Sequence, residues 1–284
     1  MVTMEELKTP AEITWCPGCG NFGMLTAFKK ALVELGIPRE NVVMVSGIGC
    51  HGKMVNHVNI NGFHGLHGRV IPLASGIKLA NPELTVVGFS GDGDCYEEGW
   101  EHLSHGLRRN LDITIIVHDN MVFGLTTGQT TATSQKGFKS KSTPFGAIPL
   151  QLNPLAVALT SHATFVARGF AGDMAHLQRI MVEAIRHRGF SLVDVFQPCV
   201  TFNYLNTWDF YRKRVYKLEE AGHDPTDWAK ALEKAMEWGD RIPIGILYKE
   251  ERPTYQDELV HLGGPVAGRE IGEVDIGPLM KAMT

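Results

Sequence analysis

No stretch of this 284-residue chain is apolar for the ~20 residues that a membrane-spanning helix needs. Neither charge sign is in large surplus. The 27 Lys and Arg stand against 31 Asp and Glu, and a net charge of −4 gives no global attraction to nucleic acid or to anionic membranes. The opening MVTMEELKTPAEITW is acidic and has no apolar centre, unlike a secretory signal, so the expected compartment is the cytoplasm. Internal repeats are missing. Cysteine is scarce, five in all, and in a reducing compartment these read as thiols, metal ligands or cluster ligands rather than disulfides. Glycine is plentiful, 31 residues in clusters, which suggests tight turns around a ligand. With 44% hydrophobic and 20% charged residues the chain is globular rather than disordered or fibrous, and its length suits one large α/β domain or two small ones.

Short apolar runs rich in β-branched residues predict buried strands at 42–46, 85–90, 113–119, 164–168 and 191–196. Amphipathic segments at about 20–35, 74–80, 95–109, 153–161 and 172–188 lie between them. This alternation predicts a doubly wound, mostly parallel α/β sheet, whose ligands sit at the carboxyl ends of the strands. The polar segment 128–144 has no hydrophobic period and reads as a long surface loop, either a functional lid or partner contact or a solvated excursion. The expected organisation is an α/β domain over 1–240, including the N-terminal CxxC arm, and an extended tail over 241–284.

Cys16 and Cys19 form a CxxC pair in TWCPGCGN, Cys50 follows the first strand in GIGCHG, and Cys199 follows the last predicted strand in FQPCVTF. All four sit in or beside turns containing Gly or Pro. Small neighbours such as Gly18, Gly20, Gly49 and Gly52 let backbone N–H groups approach cluster sulfurs. Four thiolates from three loops fit a 4Fe–4S cluster or an all-cysteine zinc site, although a structural zinc site usually shows two CxxC knuckles. A thioredoxin-type redox pair and ordinary buried thiols remain as alternatives. Cys95, just inside a predicted helix, reads as a free thiol.

Ser90-Gly91-Asp92-Gly93-Asp94 ends the second strand, and Asn120 follows the third, 28 positions after Asp92. One helix and one strand fit that interval, so Asp92 and Asn120 should emerge from two neighbouring strand ends. Both are oxygen donors suited to Mg²⁺ with phosphate, and the glycines would let backbone close on a diphosphate. A bare GDGD also fits a plain turn or a calcium-like loop. His102 and His105 share a helix at i and i+3 without a third ligand and read as packing residues; His118 reads either as packing or as an orienting group for the Asp92–Asn120 region.

Taken together, GDGD, the spaced DN pair, WCPGCG, GIGC, HGLHGR and HDNMVFGLTTGQ closely resemble the beta subunit of 2-oxoacid:ferredoxin oxidoreductases, from about residue 12 to 258. The resemblance implies a thiamine-diphosphate-binding fold. It implies cluster ligation by Cys16, Cys19, Cys50 and Cys199, and Mg²⁺ ligation by Asp92, Asn120 and the carbonyl of Val122. Gly93, Asp94, Gly124 and Leu125 match cofactor contacts. Ile48, Gly49, Cys50, His51 and His67 match positions lining the cofactor, with Lys53 near the substrate carboxylate. His51 stands where a small residue is frequent, and Thr127 where many members have Lys. The implied reaction is the CoA-dependent oxidative decarboxylation of a 2-oxo acid, or its reversal, with electrons leaving through the cluster to ferredoxin. The alpha subunit, in a heterodimer or a dimer of heterodimers, would supply the second α/β module and the Glu that faces the cofactor's aminopyrimidine ring. The segment 242–255 resembles that of two-subunit 2-oxoglutarate enzymes, so 2-oxoglutarate is expected ahead of pyruvate, with Lys53, His51, Thr126 and Thr127 available for carboxylates. A non-oxidative thiamine-diphosphate enzyme would leave the cysteines idle. A non-catalytic iron–sulfur or zinc protein would leave the GDGD…N pair idle.

Overall fold

The five apolar runs lie side by side in one sheet. The computed structural model describes residues 2–259, 265–268, 270, 272 and 275–283. In it the runs become β1 (Val42–Ser46), β3 (Thr85–Gly91), β4 (Thr114–Asp119), β5 (Phe165–Phe170) and β6 (Ser191–Phe196), joined by β2 (Asn61–His64), β7 (Val215–Lys217) and β8 (Ile242–Lys249). The order is β2-β1-β3-β4-β6-β5-β8-β7. The first six of these pair in parallel, β8 runs antiparallel to β5, and β7 is parallel to β8. Strands β3, β4, β5 and β6 are buried almost throughout, as strands covered on both faces must be.

Helices α1 (Asn21–Leu35) and α6 (Met174–Arg186) cover one face. The other carries α2 (Val70–Ala80), α4 (Trp100–Arg109), α5 (Pro154–Thr160) and α8 (Trp228–Met236). Helix α2 begins a turn before the expected position, with Pro72 in its first turn, where no N–H is needed. The helix expected over 95–109 is two pieces, α3 (Asp92–Tyr96) and α4. Gly99 lies in the break, where a Cβ would stand 2.9 Å from the Gly68 carbonyl oxygen. The short helices α7 (Trp208–Arg212), α9 (Tyr255–Glu258) and α10 (Gly277–Ala282) complete the elements.

The tail expected from 241 needs correction. Residues 242–249 are a sheet strand, mostly buried, so the sheet runs past the expected boundary at 240. Pro243 and Gly245 obscured the strand pattern; Gly245 sits there at φ 133°, a backbone conformation that glycine adopts readily. The rest of that expected tail lies partly outside the described residues. The surface loop expected over 128–144 is likewise only partly a surface feature: Thr131, Thr133, Ser134 and Phe138 are buried. Among the described residues no helix is long and apolar enough to cross a membrane.

Candidate functional site

The sheet reverses its winding between β1 and β3, because β2 lies beyond β1 and β4 lies beyond β3. In open α/β sheets the crevice outside the carboxyl ends at such a point is where ligands bind. Here it holds the Gly47–Cys50 turn after β1 and the Asp92–Tyr96 helix after β3, with Asn120 just beyond β4. One cavity of about 70 Å³ is lined by Ile48, Gly49, Cys50, His51, His67, Asp92, Gly93, Asp94, Asn120, Val122, Gly124 and Leu125, so the structure gathers every residue singled out for the cofactor. Phe123 joins them and fixes the glycine at 93: a Cβ there would run into the Phe123 ring.

Asp92 is buried, and among the described residues no cationic side chain pairs with it. Its Oδ2 accepts from the Thr131 and Thr133 hydroxyls at 2.6 and 2.9 Å. Thr133 Oγ1 also lies 2.9 Å from Asp119 Oδ1. One hydroxyl proton can reach only one of the two carboxylates at a time, so Thr133 is shared between them. Burial pushes both carboxyls up. The sequence reading missed Thr131 and Thr133. The run TTATS after the DN pair was the available signal.

Asp94 lines the same cavity, but protein donors saturate it. Gly68 N–H donates at 2.7 Å, the Ser90 hydroxyl at 2.5 Å and Ile48 N–H at 3.4 Å. His67 Nδ1 approaches to 2.9 Å and His51 Nε2 to 3.3 Å, both too poorly aligned for good hydrogen bonds and better described as ion-pair contacts. Three hydrogen-bond donors and two imidazole nitrogens thus crowd a group with about four lone-pair sites. Burial would push this carboxyl up; the His51 and His67 contacts and the Gly68 N–H overcome it and hold it well below the usual carboxylate range. The contact with Asp94 in turn raises His67, which is half-exposed. His51 is buried behind Gly49 and Gly91, where an added Cβ would stand 2.7 Å from its ring. His118 lies deeper, its Nδ1 2.7 Å from Asn21 Oδ1, and burial lowers it. His102 and His105 remain on α4, away from this cavity.

A second cavity, of about 230 Å³, is lined by Cys16, Cys19, Cys50 and Cys199 together with Lys53, Asn120, Gly124, Leu125 and Gln197. Cys16 and Cys19 reach it on the arm before α1, through a turn closed by Cys19 N–H to the Cys16 carbonyl and tied down by Trp208 Nε1 on the Gly18 carbonyl. Trp15 Nε1 donates to the Cys50 carbonyl at 2.8 Å, so the arm is pinned to the turn after β1. Cys95 is buried in α3 and lines neither cavity. Burial, and then the neighbouring cysteines, push the Cys19 thiol up to about 11 and also raise Cys50. Thiols so placed ionise readily only against a cationic centre. Among the described residues no three His, Cys, Asp or Glu side chains are spaced to share one metal ion. A tetrahedral zinc would need its sulfurs about 3.8 Å apart, from Zn–S bonds of about 2.3 Å. The four cysteines lie around one cavity and are not gathered at a single-ion site.

Lys53 lines the cysteine cavity and not the smaller one; its Nζ donates to Thr14 Oγ1 at 2.9 Å. The Thr126 hydroxyl donates to Gln129 Oε1 at 2.7 Å, and Thr127 is exposed at φ 77°. Gln197, which the sequence reading passed over, is buried between the two cavities.

Residues 38–195 match the family described as thiamine pyrophosphate enzyme, C-terminal TPP binding domain, and residues 199–263 match the C-terminal family of the pyruvate ferredoxin oxidoreductase beta subunit. A 2-oxoacid:ferredoxin oxidoreductase subunit beta from a Sulfolobus species is 47% identical, covering 88% of this chain and 87% of that protein. The 2-oxoglutarate synthase subunit KorB of Methanothermobacter thermautotrophicus is 40% identical, with 90% of each chain covered. A solved 2-oxoglutarate:ferredoxin oxidoreductase from Magnetococcus marinus, with 2-oxoglutarate, coenzyme A and succinyl-CoA bound, superposes with a TM-score of 0.90 at 37% identity, over 100% of this chain and 96% of that one. The chain is an oxidoreductase subunit with a thiamine-diphosphate-enzyme domain, and it belongs to the beta subunits of the 2-oxoacid:ferredoxin oxidoreductases.

Proposed function

We propose that this subunit, with an alpha subunit, converts 2-oxoglutarate and CoA to succinyl-CoA and CO₂, or runs the reverse carboxylation, and exchanges electrons with ferredoxin through a 4Fe–4S cluster on Cys16, Cys19, Cys50 and Cys199. The observation that carries this reading is a common wall: Cys50, Asn120, Gly124 and Leu125 line both the diphosphate-type cavity and the cysteine cavity. An electron source and a one-electron acceptor would then stand on either side of four residues.

Thiamine diphosphate, when bound, supplies the carbanion chemistry. The chain's part is to hold and orient it. Asp92, Asn120 and the Val122 carbonyl would take Mg²⁺, which prefers oxygen ligands together with phosphate. The burial of Asp92 without a cationic side chain supports this, since a divalent ion would supply the missing charge. Gly93 and the Ile48–His51 turn shape the cavity, and His67 stands at its mouth against Phe123, with Asp94 beside it. Among the described residues lining the two cavities, Lys53 alone is a Lys or Arg, which suits a substrate carboxylate. The cation for the second carboxylate of 2-oxoglutarate, and the Glu for the aminopyrimidine ring, would come from the alpha subunit. Five free thiols suit a reducing compartment, the cytoplasm.

The names of the M. thermautotrophicus and M. marinus proteins support 2-oxoglutarate. One observation favours pyruvate instead: a single Lys matches a single carboxylate. Steady-state assays of the assembled complex with CoA and a viologen acceptor decide between them. The expected result is a higher kcat/KM for 2-oxoglutarate than for pyruvate or a branched 2-oxo acid, and the opposite order sinks the substrate assignment. Anaerobic analysis of the same sample should give about four iron and four sulfide per beta chain. Zinc in their place refutes the cluster.

A further inference from the structure

Gln197 follows β6, and its backbone N–H donates to the Asp119 carbonyl at 2.9 Å, which extends the β4–β6 pairing by one residue. Its side chain is 1% exposed. The amide oxygen accepts from Asn120 Nδ2 at 3.1 Å. The amide nitrogen donates to Cys19 Sγ at 3.4 Å and to the Pro198 carbonyl at 3.2 Å. Two acceptors fix these orientations. The Pro198 carbonyl can only accept, so the nitrogen of Gln197 must be on that side. Asn120 Oδ1 accepts from Val122 N–H at 3.1 Å, so its NH₂ must face Gln197. A chain of hydrogen bonds thus runs from Val122 N–H through Asn120 and Gln197 to the Cys19 sulfur, every donor pointing toward the sulfur. Gly20 makes room for it: a Cβ there would stand 2.9 Å from both Cγ and Nε2 of Gln197.

We infer that Gln197 is a positioning residue that sets the cluster's potential through its N–H···S bond while holding Asn120 in place for the Mg²⁺ of the cofactor. This rests on the two-site reading above. Hydrogen bonds to the sulfurs raise a cluster's potential, because they stabilise the reduced, more negative form more than the oxidised one. The same side chain fixes the rotamer of Asn120, so its loss should also loosen the metal–diphosphate site.

The test uses the assembled holoenzyme and two variants. Gln197→Met keeps the length and removes both donor and acceptor; Gln197→Glu keeps an acceptor for Asn120 and puts an oxygen against Cys19. EPR-monitored redox titration should move the cluster negative in both, by about a tenfold change in the oxidised-to-reduced ratio at fixed poise, which is about 59 mV for one electron. Equilibrium dialysis should show weaker retention of Mg²⁺–thiamine diphosphate in Gln197→Met than in Gln197→Glu. Unchanged potentials in both variants overturn the inference. A further measurement needs no variant: in wild-type enzyme carrying ¹⁵N in glutamine side chains, pulsed EPR of the reduced cluster should detect a nitrogen coupling, and its absence also overturns the inference. Wild-type protein without iron would instead remove the two-site reading itself, and that is read before any substitution is made.

Discussion

Replacing Asp94 tests whether this carboxylate is a strut of the fold or a direct contact of the cofactor. In Asp94→Ala the Gly68 N–H and the Ser90 hydroxyl lose partners at 2.7 and 2.5 Å, and both stand in buried surroundings. Leaving a buried donor unpaired costs about 1–3 kcal/mol, so the two together should cost ~4 kcal/mol before any cavity term. Asp94→Asn should cost less. Its amide can turn so that the oxygen stays on the Gly68 side and the NH₂ faces Ser90, whose hydroxyl can rotate to accept. What then disappears is charge assistance on two bonds, about 2 kcal/mol in total. Urea denaturation of the purified protein gives these differences, and hydrogen exchange supplies a local probe: the Gly68 amide should exchange at least tenfold faster in Asp94→Ala, by the relation of about 1.4 kcal/mol per tenfold. If Asp94→Ala unfolds within about 1 kcal/mol of wild type and yet loses thiamine diphosphate, the strut reading is wrong, and the carboxylate touches the cofactor directly.

Cys199→Ala should lose or damage the iron–sulfur absorbance, whereas Cys95→Ala, buried in α3 and outside the cysteine cavity, should keep it; equal loss in both would remove the four-cysteine assignment. Asp92→Ala should abolish retention of thiamine diphosphate in equilibrium dialysis while leaving the cluster spectrum intact, and undiminished thiamine content would contradict the Mg²⁺ site. The raised His67 makes a stabilising contribution that is complete below its unfolded pKa of about 6.5 and fades as pH rises through the higher folded value. NMR titration of the His67 ring should therefore show an upward shift that Asp94→Asn removes, and an unshifted wild-type ring would refute the pairing.

The central strands were legible because their short apolar runs are rich in β-branched residues and alternate with amphipathic segments, and the candidate site was legible because Asp92 and Asn120 stand at the ends of two successive apolar runs. β2 was not: Asn61–His64 is exposed along its whole length at the sheet edge and carries no apolar alternation. β8 hid behind Pro243 and Gly245, and its partner β7 is three residues long. The roles of Thr131 and Thr133 escaped for another reason. A hydroxyl that faces a buried carboxylate and one that faces water have the same sequence signature, and only the fold distinguishes them. Asp94 shows the converse limit. A motif match put it at the cavity, but a sequence cannot reveal that three donors and two histidines from three separate segments already surround its oxygens.

A wall that serves two rooms cannot be redecorated from one side. Cys50, Asn120, Gly124 and Leu125 face both cavities, so any exchange among them that reshapes one also changes the packing and polarity of the other, where the cysteine sulfurs lie. Under the proposed function, two traits that selection or a protein engineer would treat as separate, the choice of acid and the ease of reduction, would be inherited together at these four positions. On that reading, a broader substrate range would be sought at residues that touch one cavity only, such as Thr126 on the smaller side.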